Sequence, residues 1–411
     1  MNKVRKKPEL LAPAGNLEKL KWAIKYGADA VYIGGKNYSL RANNDNFNID
    51  EIREACEFAH KNKVKVYVTL NIIFHNHDIE GLEQYLINLE KCKVDAIIIS
   101  DPFVIDLAKK VAPNLDIFLS TQQSTINYEA VNYWKSEGIK RIILAREASG
   151  REIQEIITKT GADIEVFIHG AMCVNYSGKC LLSNYLTRRD SNRGGCSQIC
   201  RWPFVLYDQE RANLKYEQDF AMATKDLSLL KYIPDLIDMG VVSFKIEGRM
   251  RSIYYIATIV GIYRKVIDEY YNDPKSYKYS VHDEIELCRC ANREARPQYF
   301  DKKPGVDEQY FIGREEPSNQ DFLGIVLDYD INSKEVIIEQ RNYFKIGDEV
   351  EIFSPLHKKT KFIIKSIKDE YGKPIEVVRH PRQIVRIPLM IKVYKYDLMR
   401  TKITFDKIEN I

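Results

Sequence analysis

Four cysteines crowd one part of the chain, spaced Cys173-x6-Cys180-x15-Cys196-x3-Cys200. Thiolates are soft ligands, so four on one segment point towards zinc or an iron–sulfur centre. Structural zinc sites use pairs about two to four residues apart, which only the second pair approaches. An iron–sulfur cluster tolerates wider spacing and is the preferred reading; zinc and unliganded thiols are alternatives that spacing alone leaves open. The other cysteines carry less. Cys56 sits on the apolar stripe Ile52, Ala55, Ala59, and Cys92 continues Leu82, Tyr85, Leu86, Leu89, both core positions for a small apolar side chain. Cys288 and Cys290 have no partner pair nearby and are read as structural.

Charged and polar residues that follow apolar runs form a second group of candidates. Lys245, Glu247 and Arg249 surround the end of one such run. Lys245 and Glu247 share a strand face, and three charges beside a buried strand need compensation from one another or from a ligand. Gly34-Gly35, Asn71, Ser100-Asp101, Ser120-Thr121-Gln122, Arg146-Glu147 and His169 stand at comparable positions. Several of them need do no more than cap the next helix, as Asp101 before Pro102 would. His75 and His77 form a His-x-His pair that can bind metal, but without a carboxylate or a third histidine nearby they suit a surface loop. Neither His-Glu-x-x-His nor Gly-x-Ser-x-Gly occurs. The best nucleophile pair is Cys173 with His169, and a metal centre would claim that thiol.

The elements that must position these residues are short apolar runs alternating with helical periodicity. Glu9–Leu11, Ala30–Ile33, Val64–Val68, Ala96–Ile99, Ile117–Leu119, Ile142–Leu144, Val166–Ile168 and Val242–Ile246 make eight strands. Asn16 predicts a helix start and Gly27 its stop, Asp50 opens another helix, and Gly240 ends a later one. Eight β-α repeats predict an α/β fold, a (β/α)8 TIM-like barrel over residues 1–272. The interval between strands seven and eight, residues 171–225, is an insertion that carries all four clustered cysteines at the face where such barrels place their chemistry. Residues 273–320 are polar and proline-containing and predict a linker or wrap-around segment. From 321 to 411 only short strands are predicted, at Leu323–Leu327, Glu335–Ile338, Glu349–Phe353, Phe362–Ile367 and Met390–Val393, a small C-terminal β-barrel domain. Lys358, Lys359, Lys361 and Lys365 give it a basic edge, either a solvated face or an RNA contact.

At 411 residues the chain exceeds one ordinary core, in keeping with two domains. A formal net charge of +4 neither demands nor excludes nucleic acid. The opening MNKVRKKPELLAPAG lacks the apolar run of a signal peptide, and no stretch approaches the roughly 18 apolar residues of a membrane span. The expectation is a cytoplasmic protein with no membrane partner, in whose reducing surroundings eight cysteines are not a disulfide framework.

Longer motifs carry a family resemblance. Glu165-x-Phe167-x-His169-Gly170-Ala171-x-Cys173-x-x-Tyr176-Ser177-Gly178-x-Cys180 resembles the signature of the collagenase-like peptidases, the thirty-second peptidase family of unknown catalytic type. ELLAPAGNLEKLKWAIKYGADAVYIGG, NRGGCSQICRWPF and MATKDLSLLKYIPDLIDMGVVSFKIEGRMRSIYYIATIVGIYR agree, and the last two are most similar to the bacterial branch implicated in tRNA wobble-uridine hydroxylation. CANREARPQYF, by contrast, departs from the family's pattern. The resemblance implies a tRNA uridine hydroxylase that makes 5-hydroxyuridine with prephenate as co-substrate, and a homologous second subunit among its partners. It implies a 4Fe–4S cluster on Cys173, Cys180, Cys196 and Cys200. Arg41, Arg146 and Arg249 are then candidates for the two carboxylates of prephenate, with Tyr176 a further substrate contact, and Glu247, His169 and Lys245 the catalytic candidates. A peptidase, and a non-catalytic RNA-binding partner of a true hydroxylase, are the competing expectations.

Overall fold

The computed structural model describes residues 6–40, 46–205, 221–291, 293–310, 321–355 and 359–401. The chain divides into two compact units, Met1–Glu316 and Pro317–Ile411. In the first, the apolar runs become β1 (Glu9–Pro13), β2 (Ala30–Gly34), β3 (Lys65–Leu70), β4 (Ala96–Ile99), β5 (Asp116–Leu119), β6 (Arg141–Ile143) and β7 (Ile164–Gly170). A three-residue β8 (Asp226–Ser228) then precedes β9 (Ser243–Ile246). Strands β1 to β7 pair in parallel in chain order, and β9 pairs in parallel with both β1 and β7, which closes an eight-stranded barrel.

Helices α1 (Leu17–Lys25), α2 (Ile49–Lys61), α3 (Leu82–Lys91), α4 (Pro102–Val111), α5 (Tyr128–Ser136) and α6 (Gly150–Thr160) alternate with these strands, followed by α7 (Leu182–Thr187), α8 (Ile233–Met239) and α9 (Ile253–Asn272). Their ends follow local chemistry. Asn16 accepts the Lys19 N–H at 3.0 Å, and Asp101 caps α4. Ser149 and Glu152 form a reciprocal capping box on α6. The α2 cap is Asn48, again with a capping box, and not Asp50, because the Asn48 side chain reaches the Glu51 N–H. Cys56 and Cys92 are buried. Among the described residues no helix is long and apolar enough to cross a membrane.

The polar stretch after α9 contains a helix that periodicity did not reveal, α10 (Val281–Ala291), packed on α9 with Cys290 buried. Beyond it β10 (Ala295–Arg296) pairs with β8, and Tyr310 donates its N–H to Ala223 at 2.8 Å.

The barrel interior holds ions. Arg141 reaches Glu9 at 2.6 Å and Glu165 at 3.3 Å, and Lys245 reaches Glu165 at 2.9 Å. Tyr67 donates to Glu9 at 2.7 Å. Burial pulls the Lys245 pKa down while Glu165 pushes it back up. The partner of Lys245 is therefore Glu165, and the charges at the end of β9 do not simply neutralise one another.

Period-two alternation along β7 sends Glu165 and Phe167 inward and would send His169 inward too. A register shift between Phe167 and His169 breaks that alternation. The His169 ring lies instead against Tyr255 and Tyr263 of α9, with Nδ1 3.3 Å from the Tyr263 hydroxyl. Tyr263 also donates to the Ile168 carbonyl at 3.0 Å, and Leu229, next to β8, takes the same carbonyl at 2.8 Å.

Among the described residues the second unit is an antiparallel half-barrel with an eight-stranded sheet and a separate two-stranded pair. Its long central pair is Phe322–Asp330 with Glu335–Gln340, around a core that includes Val326, Ile338, Val350, Val385 and Met399. Met390–Val393 is not a strand: Met390 and Ile391 are exposed, and the strands here are Ile384–Pro388 and Leu398–Thr401. Phe362–Ile367 is likewise divided, into Thr360–Ile363 and Ile367–Asp369. Lys359, Lys361 and Lys365 are exposed, and Lys358 lies outside the described residues.

The ion network yields a stability prediction. Glu165→Gln strands the buried Lys245 cation and leaves Arg141 with Glu9 alone, and should cost about 3–5 kcal/mol in chemical denaturation. Adding Lys245→Met should recover part of the loss, because the orphaned charge goes with it.

Candidate functional site

β7 ends at Gly170, where φ is +114° and a Cβ would lie 2.6 Å from the Glu247 carbonyl oxygen. Only glycine lets the two strand ends approach so closely. The insertion then runs through a 3-10 turn at Tyr176–Gly178, α7, and further turns at Ser191–Arg193 and Ile199–Arg201. Asn192 grips Cys180, accepting its N–H at 3.2 Å and donating to its carbonyl at 3.0 Å. The Leu182 N–H points at the Cys180 sulfur at 3.4 Å. Cys173, Cys180, Cys196 and Cys200 are free thiols and all line one cavity of about 150 Å³ at the barrel mouth.

Burial raises the Cys173 pKa, and the Cys200 thiol is pushed up to about 11 by burial and then by Cys173. Cys196 and Cys180 also act on Cys200, so the four sulfurs share one electrostatic neighbourhood. Among the described residues no three His, Cys, Asp or Glu groups converge tightly enough for a single ion. A lone tetrahedral zinc draws its sulfurs to about 2.3 Å each. Four thiols around one cavity are a donor set that could hold a metal centre.

Arg146, Glu147, Lys245, Glu247 and Arg249 line the same cavity. Arg146 stacks 3.9 Å from the Phe167 ring centroid and donates to the Ala171 carbonyl at 2.8 Å, while its Nε is buried without a partner. Lys245 lies 4.7 Å from the Tyr32 ring centroid, pairing with Glu165 below. Arg249 donates to Ser39 at 2.9 Å, to Thr69 at 3.3 Å and to the Leu40 carbonyl, a reach that Gly34 permits because any Cβ there would collide with the guanidinium. Glu247 is half-buried at the strand end.

His169 is 2% exposed behind β7, and burial, then Arg251, lowers its pKa to about 3. It is a neutral ring packed on α9, outside the cavity lining. Tyr176 is 49% exposed, and its ring is not among the cavity walls. Arg41 lies outside the described residues. Glu147 was visible in the sequence only as a strand-end residue. Its Oε1 accepts the Ser177 N–H at 2.7 Å, and its Oε2 is buried without a partner. Its signal was there to be read, an acid directly after Arg146 at the end of a barrel strand.

Residues 15–310 match Peptidase family U32, and residues 318–400 match the Peptidase family U32 C-terminal domain. The chain is 51% identical over 402 residues to tRNA hydroxylation protein P1 of Bacillus subtilis (strain 168), spanning 97% of this chain and 95% of the relative. tRNA hydroxylation protein P of Haemophilus influenzae is 33% identical over 399 residues, 85% of this chain and 86% of its own length. A protein of Porphyromonas gingivalis named Collagenase is 30% identical over 412 residues, 95% of this chain and 98% of its own.

One ion pair fastens the insertion to the barrel. Arg193 clamps Asp78 with both terminal nitrogens, one of them at 2.8 Å, and donates to His77 at 3.0 Å and to the Ile73 carbonyl at 3.0 Å. The His-x-His pair thus belongs to the loop that receives the insertion. The Arg193 hydrogen bonds hold Asp78 down at about 2. A carboxylate held low stabilises the fold above its unfolded value, about 3.9, and loses that contribution as pH falls towards about 2. Protection factors across residues 171–205, taken relative to intrinsic exchange at each pH, should therefore fall on acidification through that window in the wild type. Asp78→Asn should show the lower protection already at neutral pH.

Proposed function

Since the chain belongs to Peptidase family U32, we propose that it is a tRNA-modifying enzyme that hydroxylates wobble uridine to 5-hydroxyuridine, with prephenate as co-substrate. The observation that carries the reading is the single cavity in which four thiols face Arg146, Glu147, Lys245, Glu247 and Arg249. Replacing hydrogen at uracil C5 by hydroxyl is a two-electron oxidation. A 4Fe–4S cluster held by Cys173, Cys180, Cys196 and Cys200 would supply a one-electron relay beside the base, with the oxygen donor and the final two-electron acceptor coming from outside the chain.

The remaining residues bind and orient. Prephenate brings two carboxylates into a partly dry site, and a guanidinium fork matches a carboxylate with two hydrogen bonds. Arg146 takes one of them, since its Nε is buried without an acceptor. Lys245 and Arg249 add positive potential over the barrel axis, and Arg249 also braces the residues after β2. Glu247 is placed to take a proton from the base. The unpartnered oxygen of Glu147 offers an acceptor to a uracil N–H.

A hydrolase needs a nucleophile and a base within hydrogen-bond reach. Cys173 lines the cavity while His169 bonds Tyr263 behind β7, so that pair is not assembled. The relative named Collagenase keeps the peptidase reading testable: purified protein should leave gelatin intact. Reconstitution with this protein alone separates an enzyme from an RNA-binding partner that requires a second subunit.

Deleting the gene should remove 5-hydroxyuridine-derived nucleosides from tRNA, measured by nucleoside mass spectrometry; unchanged nucleosides, with no paralogue to compensate, would overturn the reading. Protein purified without oxygen should carry about four irons per chain, and Cys173→Ser or Cys180→Ser should bleach it. Stoichiometric zinc without iron would refute the cluster. Arg146→Lys keeps the charge but loses the fork, so it should lower hydroxylation on the order of tenfold or more while the iron content holds.

A further inference from the structure

On the outer side of the cysteines the insertion has a second concave feature. Arg189, Cys196, Ser197, Gln198, Arg201 and Trp202 line a groove of about 330 Å³. Cys196 and Gln198 also line the cavity, so the two hollows share a wall.

The charge around this groove is one-sided. Between 171 and 205 the sequence has Lys179, Arg188, Arg189, Arg193 and Arg201 against one acid, Asp190. Asp190 accepts the Asn192 N–H, and Arg193 is committed to Asp78. Among the described residues Arg188, Arg189 and Arg201 form no salt bridge.

Behind the groove, Asp226 already serves Arg251 at 3.2 Å and Arg293 at 3.5 Å. Arg201 has its Nη1 buried without a hydrogen-bond acceptor. Arg201 is at the same time one of the walls of the groove, so its charge acts on whatever the groove holds. Beside it Trp202 is 45% exposed, and α7 on the same insertion presents Tyr185 at 82%. Guanidinium groups next to an exposed aromatic ring are what a single-stranded nucleic acid uses: phosphate on the cation, base on the ring.

We propose that this groove holds an RNA segment flanking the nucleotide that enters the cavity, with Trp202 stacking on a base and Arg189 and Arg201 contacting its phosphodiester. The inference rests on the tRNA reading above and adds to it a contact surface on the barrel unit, separate from the lysine edge of the second unit. The shared wall sets the distance: a base in the cavity and a base on Trp202 belong to nucleotides close together in one strand. The groove therefore favours an unpaired loop, whose bases can be splayed apart, over a duplex.

The test uses the full-length protein and in vitro transcribed tRNA, with binding followed by fluorescence anisotropy across a salt series. Trp202→Ala should weaken binding about tenfold, and Trp202→Phe should restore most of it. Arg189→Gln should lower the slope of log affinity against log salt by about one contact's worth. Both sites are exposed, and an unchanged circular dichroism spectrum confirms that the variants fold. Wild-type affinity and salt slope in Trp202→Ala and Arg189→Gln, with tRNA bound normally by the wild type, would overturn the groove and leave the tRNA reading standing. Wild-type protein that retains no tRNA would overturn both.

Discussion

Charge inside the barrel is the constraint on which the site depends. Glu9, Arg141, Glu165 and Lys245 come from β1, β6, β7 and β9, the strands that meet where the sheet closes. Buried ions are tolerated only when each finds its partner, so this network penalises any closure in the wrong register. It also makes the floor of the cavity. Lys245 faces Glu165 on one side and the cavity on the other, so the pairing that satisfies the fold also sets positive potential beneath a bound anion.

Above that floor, three tyrosines hold the strand ends by their carbonyls. Tyr32 bonds Ile246, Tyr255 bonds Glu247 and Tyr263 bonds Ile168. These contacts surround the register shift in β7 and fix where the chain leaves the barrel to become the insertion. Positions of Cys173 and Glu247 follow from a few backbone carbonyls held by phenols of β2 and α9. Function at this mouth is thus tied to a helix that contributes no side chain to the cavity.

Much of this was legible in the sequence, and the losses have physical causes. The barrel strands follow from apolar runs because parallel strands covered on both faces need little else. The four cysteines and the end of β9 line one cavity, because strand ends of a closed barrel converge on one face. His169 ends an apolar run as expected, but a register shift in β7 sets its ring against α9 and outside the cavity lining, which no local pattern announces. Three-residue β8 has no periodicity to detect, and α10 lies in a polar stretch with prolines on either side. Met390–Val393 is a mostly apolar run like a strand, yet Met390 and Ile391 are exposed and only Val393 enters the core. The Asp78–Arg193 clamp joins residues 115 positions apart and leaves no local trace.

That clamp has a consequence for when the four thiols meet. The insertion is moored to the loop after β3 through Arg193, Asn192 and Ile73, while Arg146, at the end of β6, holds the Ala171 carbonyl where the insertion begins. Both moorings exist only once the barrel strands are in place. The insertion alone therefore does not bring its four sulfurs together: they become one wall of one cavity only when the barrel that moors it has closed.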